Sequence, residues 1–97
     1  MIHIVAKNTI KEDKIEAFIN IAKKLIEDTH KYDKGCIRYE LVQDIKNPSI
    51  LTFLEEWEDT ASLKLHSSSS HHAAAIEAIK DFHQSPPEVN YYKNFIS

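Results

Sequence analysis

Six segments in the order βαββαβ predict an α+β sandwich of the ferredoxin-like kind, with helices packed on one face of an antiparallel sheet. Three observations predict it. A long stretch after the N-terminus repeats apolar residues at helical spacing. Two alternating segments in mid-chain flank a short polar turn, and a further strand-like segment stands near each end of the chain.

The first strand is "IHIVAKNT", Ile2 to Thr9, where β-branched residues alternate with polar ones. Ile2, Ile4 and Ala6 share one face, and His3, Val5 and Lys7 the other. In "DKIEAFINIAKKLIEDTHKY", Ile15, Phe18, Ile19, Ala22, Leu25 and Ile26 line one helical face. Asp13 with Glu16 three residues on is expected to start that helix as a capping box. Gly35, the only glycine, follows it and suits a turn needing positive φ. "CIRYELVQDI" alternates next, with Ile37, Tyr39 and Leu41 on one face, then "KNPS" turns the chain into "ILTFLEEWED" as an antiparallel hairpin. Asp59 caps a short helix through "TASLKLH". A longer helix is expected from about His71 to His83, with Ile76, Ile79 and Phe82 inward, stopped by "SPP". "VNYYKNFI" closes the pattern as a last strand. The sheet's second face is left uncovered, which favours pairing with a second copy.

Length and composition bound the function. The 97 residues fit one domain spanning 1–97, and 42% hydrophobic with 28% charged residues describe a folded globular chain. The net charge of −3 comes from interleaved acids and bases, so no basic patch exists to neutralise phosphates and nucleic acid is not an expected partner. No apolar run suits a bilayer, and "MIHIVAKN" lacks the parts of a signal peptide, so no membrane partner and a cytoplasmic location are expected. Cys36 is the only cysteine, which excludes an internal disulfide.

Several chemistries fail on spacing. His66, His71 and His72 in "LKLHSSSSHH" stand five and one apart, whereas two ligands on one helix face need three or four, so no metal site is expected. Four consecutive serines supply none of the strand-to-helix geometry of a serine nucleophile. Cys36 reads as a small core residue, and one glycine cannot build a phosphate loop. What remains is a convergence of Tyr39, Phe53, Glu55 and Trp57 from the hairpin with Leu63 and His66 from the short helix. Phe53, Glu55 and Trp57 alternate and share a strand face; Leu63 and His66 share a helix face. A carboxylate and an imidazole beside aromatic rings suit a small-molecule pocket. Equally open is a structural role, with Trp57 and Phe53 as core and His66 at the rim, hydrogen-bonded to Glu55.

"GCIRYEL", "FLEEWED" and "LKLHSSSSHH", in this order and spacing, resemble the antibiotic biosynthesis monooxygenase family across nearly the whole chain. The resemblance implies a ferredoxin-like protomer in a homodimer whose sheets build an α/β barrel, with a pocket in each protomer between sheet and helices. It also implies oxygenation of quinols or polycyclic phenols by dioxygen without flavin, haem or metal. His66 is then the base; Trp57, Tyr39 and Phe53 are pocket walls; and Asn8 is a hydrogen-bond donor to a substrate oxygen. The chain departs from relatives in carrying Ser70 in place of a proline and His72 in place of an aromatic, which bears on the pocket's lid. His71 either caps the pocket or starts the helix. The haem-degrading branch does not fit, since Ile76 stands where its ligand histidine is expected. A similar branch isomerises a phosphorylated sugar-like autoinducer, so a non-oxidative isomerase and a non-catalytic binding dimer stand as alternatives.

Overall fold

The computed structural model describes residues 1–97. Its elements are β1 (Ile2–Thr9), a single 3-10 turn at Glu12–Lys14, α1 (Ile15–Tyr32), β2 (Cys36–Gln43), β3 (Ile50–Trp57), α2 (Thr60–Ser67), α3 (Ser70–Ile79) and β4 (Glu88–Lys93). The sheet is antiparallel throughout in the order β2-β3-β1-β4, the ferredoxin-like arrangement expected from the sequence. No helix is long and apolar enough to cross a membrane.

Residues of alternate parity divide the sheet as the pattern demands. Leu51, Phe53, Glu55 and Trp57 of β3, Ile4 and Asn8 of β1 and Tyr39 of β2 are buried beneath the helices. α1 supplies Phe18, Ala22, Leu25 and Thr29 to the same core. On the opposite face, Arg38 pairs with Glu40 and Glu56, and Lys7 pairs with Glu88.

Four local expectations are corrected. Asp13 does not cap α1: it lies inside the 3-10 turn, and Lys14 takes the N-cap position with no side-chain bond to the helix. Ile37 is half exposed because β2 bulges there, Cys36 pairing with Trp57 and Arg38 with Glu56, so that Ile37 is the extra residue. α3 starts at Ser70 and stops at Ile79 rather than reaching His83. The segment after it adds to the end of β1 instead: Lys11 N–H donates to Phe82 O, Gln84 N–H donates to Thr9 O, and Ile10 bridges His83. Those bonds satisfy backbone groups at the strand end that a continued helix would leave unpaired. Ile76 is half exposed, because α3 meets α1 through Ala75 and Ile79, one turn apart.

The serine run is a joint between two helices. Ser68 Oγ donates to Lys64 O, while Ser69 Oγ accepts from His72 N–H as the cap of α3 and donates to His66 O at 2.7 Å. Gly35 makes the other tight approach. Its φ is +81°, and a Cβ there would stand 2.1 Å from Ser62 Oγ. Only glycine lets the β2 entry and the first turn of α2 come so close.

Candidate functional site

Between the helix-side face of the sheet and the three helices lies a cavity of about 490 Å³. Its body is apolar, with Ile4, Ala6, Phe18, Leu25, Phe53 and Ile79 in the wall. Polar groups enter from β1, β2 and β3 as Asn8, Tyr39 and Glu55, from the end of α2 as His66, from α3 as His72 and from the segment after it as His83. An apolar chamber with a few convergent polar groups is the usual form of a small-molecule site.

His66 is the best-held of these. It is 2% exposed, and its ring stacks at 4.6 Å against Trp57 and meets Tyr39 edge-on at 5.1 Å. Its Nδ1–H donates to Asp33 Oδ2 at 2.6 Å, and the same oxygen accepts from His71 Nε2–H at 2.8 Å. With Nδ1 carrying the proton, Nε2 is the lone-pair acceptor of the neutral ring and has no partner in the chain. Burial lowers the His66 pKa, and the bond to Asp33 offsets this in part. At neutral pH the ring is therefore an unprotonated base.

Glu55 supplies a second titratable group. Burial pushes its carboxyl up to about 7, against the pull of Trp57, whose Nε1–H donates to Oε1 at 2.9 Å. Burial is also the main cause that raises Tyr39 and pushes the Cys36 thiol up to about 11, so neither is an anion at neutral pH. His72, 4.8 Å from His66 between ring centres, has its pKa lowered first by burial and then by His71.

Of the residues expected from the sequence, Asn8, Tyr39, Phe53, Glu55, Leu63, His66 and His72 line this one cavity. Trp57 does not: it is wholly buried behind His66 and Glu55, and supports both rather than forming the wall. His71 lies on the far side of Asp33, beside Tyr32, at a shallow depression on the outer surface with Lys24 and Asp28. The bond between Glu55 and His66 that the alternative, structural role called for is absent; Glu55 binds Trp57 and His66 binds Asp33, and His66 is buried rather than at a rim.

Sequence reasoning missed Asp33 and His83. Asp33 caps the end of α1 by backbone, and nothing in "YDKGC" marks its carboxylate as the partner of a ring 33 residues away. His83 falls at the end of the helix that the sequence pattern predicts, and α3 ends at Ile79, before it. His66 and His71 sit on two helices, so spacing along one helix face does not keep them apart, and with Asp33 their donor atoms lie within 4.8 Å of one another. That donor set could hold a divalent ion. Here one carboxylate oxygen already joins both rings by hydrogen bonds.

The chain matches the model of the family described as antibiotic biosynthesis monooxygenase over residues 1–86. It is 26% identical over 89 residues to "Putative monooxygenase YcnE" of Bacillus subtilis, covering 92% of this chain and 93% of that one. A solved conserved protein from Methanosarcina mazei Go1 is 39% identical with a TM-score of 0.92, covering 97% of this chain and 92% of the other. A solved protein from Nitrosomonas europaea, titled "Putative antibiotic biosynthesis monooxygenase", shares the fold at a TM-score of 0.93 and 19% identity, over 99% of this chain and all of that one.

Proposed function

Since this chain belongs to the antibiotic biosynthesis monooxygenase family, we propose that it oxygenates a small aromatic or quinol-type substrate with dioxygen, His66 serving as the base and no cofactor taking part. The observation that carries this reading is the pairing of His66 with Asp33 at the wall of an apolar cavity. A phenol bound there would offer its hydroxyl to His66 Nε2. Proton transfer gives a phenolate and an imidazolium, and Asp33 stabilises the imidazolium through Nδ1. The electron-rich anion is then the reductant of dioxygen. The substrate loses two hydrogens and gains one oxygen atom, and the second oxygen atom leaves as water with those hydrogens. Phe53, Tyr39 and Leu63 flank the ring and exclude water, and His72 sits beside His66.

Oxygen uptake with a panel of quinols tests the reading. Turnover that needs dioxygen and falls steeply in His66→Ala supports it; equal rates in both proteins would remove His66 from the mechanism.

One observation favours an isomerase of a small phosphorylated carbonyl compound as a second reading. Glu55, with its carboxyl near 7, and His66 face one cavity, and enolisation needs an acid and a base together. Turnover that persists without dioxygen selects it. A non-catalytic binding dimer would show ligand binding with neither activity.

The protein is further proposed to act as a homodimer. Support comes from β4 as an exposed edge strand with Tyr91 and Tyr92, followed by exposed Phe95 and Ile96, apolar surface that a second copy would cover. A single sedimenting species of monomer mass at micromolar concentration would contradict this. A reducing cytoplasm suits the lone, half-buried Cys36 thiol.

A further inference from the structure

The end of the cavity away from His66 holds a pair that proton transfer does not use. His83 Nε2 lies 2.8 Å from Asn8 Oδ1, and Asn8 Nδ2–H donates to Ala6 O at 3.1 Å. A carbonyl oxygen only accepts, so Ala6 decides which way round the Asn8 amide sits, and Oδ1 is the atom that faces the ring. An amide oxygen also only accepts. The His83 proton is therefore on Nε2, and Nδ1 is the lone-pair acceptor of the neutral ring, with no partner in the chain. His83 packs edge-on against Phe18 and lines the same cavity as His66.

Both ends of the chamber thus present one unpartnered imidazole acceptor, each fixed in its tautomer by an oxygen on the other ring nitrogen. We propose that His66 Nε2 and His83 Nδ1 are the two ends of a single binding site for an aromatic diol, whose hydroxyls stand at opposite ends of two or three fused rings. This rests on the reading of the cavity as a phenol site and adds where a second oxygen is held. Asn8 stands four residues along β1 from Ile4, whose cross-strand partner is Glu55 at the His66 end, a backbone span of about 13 Å. A ligand of two or three fused rings fits that backbone interval. Ala6, Phe53 and Phe18 wall the interval and offer no polar atom to a ligand's middle.

The test is binding without oxygen, followed by titration calorimetry, with 2,6-dihydroxynaphthalene and the corresponding naphthol that has one hydroxyl. The diol is expected to bind about tenfold more tightly, the worth of one further hydrogen bond. His83→Phe keeps a ring against Phe18 but removes the acceptor, so it should abolish the diol's preference over the naphthol. Nitrogen NMR of the unaltered protein gives a second measure: the His83 Nδ1 resonance should move with the diol and stay with the naphthol. Equal affinities, a preference that survives His83→Phe, or an unmoved Nδ1 with diol bound would each overturn the proposal. Because the binding assay excludes oxygen, it is independent of turnover: a diol preference here with no uptake in the aerobic quinol assay sinks the monooxygenase reading alone. Oxygen uptake without the preference sinks the two-ended site alone.

Discussion

At one end of the cavity an imidazole is held by a carboxylate, Asp33; at the other an imidazole is held by an amide, Asn8. The two pairs fix their rings alike, each placing the proton on the far nitrogen and leaving a lone pair free. Their electrostatics differ. A carboxylate stabilises the imidazolium that forms when the free nitrogen takes a proton, whereas a neutral amide lends no such help. One end backs its imidazole with a charge that steadies a proton once taken, and the other backs it with a neutral hydrogen-bond acceptor.

The largest effect that would break this contrast is the loss of the proton-taking ring. His66→Ala should lower turnover by about 10² to 10⁴-fold, the usual worth of a positioned general base, with the fold intact by circular dichroism. If oxygen uptake were unchanged, the asymmetry of the two ends would have no catalytic meaning. Next comes the turn that brings Asp33 into place, a support without counterpart at the Asn8 end. Gly35→Ala meets both positive φ and the overlap with Ser62, and should cost about 3 kcal/mol in denaturant unfolding.

Glu55 sharpens the contrast through pH. Its folded carboxyl titrates at about 7 against an ordinary 4.5, so the fold favours the protonated form. Stability from this group is complete below pH 4.5 and is lost as pH rises through 7. Glu55→Gln keeps an acceptor for Trp57 and cannot ionise. It should match the native protein at pH 4 and exceed it at pH 8 by up to about 3 kcal/mol, read from paired melts at the two values. A variant equally stable at both would show that Glu55 is not held near neutrality.

The smallest expected effect is the most direct comparison of the ends. Asp33→Asn makes the His66 end a copy of the His83 end, accepting one ring proton without a charge. Turnover should fall about 10 to 100-fold while substrate KM stays nearly constant, since the ring still accepts a hydrogen bond. A change confined to KM would place Asp33 in binding rather than in proton transfer.

The order of elements, the alternation that buries Phe53, Glu55 and Trp57, the Asp59 cap and the place of Gly35 were all legible, because each is local and follows from side-chain period or backbone freedom. The convergence of Tyr39, Glu55, Leu63 and His66 was legible for the same reason: two short elements joined by a tight turn leave few ways for their marked faces to miss each other. The α3 boundary was not. Residues 80 to 83 continue a helical pattern in sequence, yet their backbone is drawn away to the open end of β1.

By itself the sequence determined the sheet, its helix cover and a polar group on each face that meets the cavity, since hydrophobic period and capping act within a few residues. Only the tertiary structure decided the partners. Which oxygen each histidine meets is a matter of long-range packing: Asp33 reaches His66 across 33 residues and Asn8 reaches His83 across 75, and hydrogen bonds between distant segments leave no period in the chain. The same packing set Trp57 behind the wall rather than in it, turned His71 outward, and gave the cavity one imidazole backed by a carboxylate and one backed by an amide.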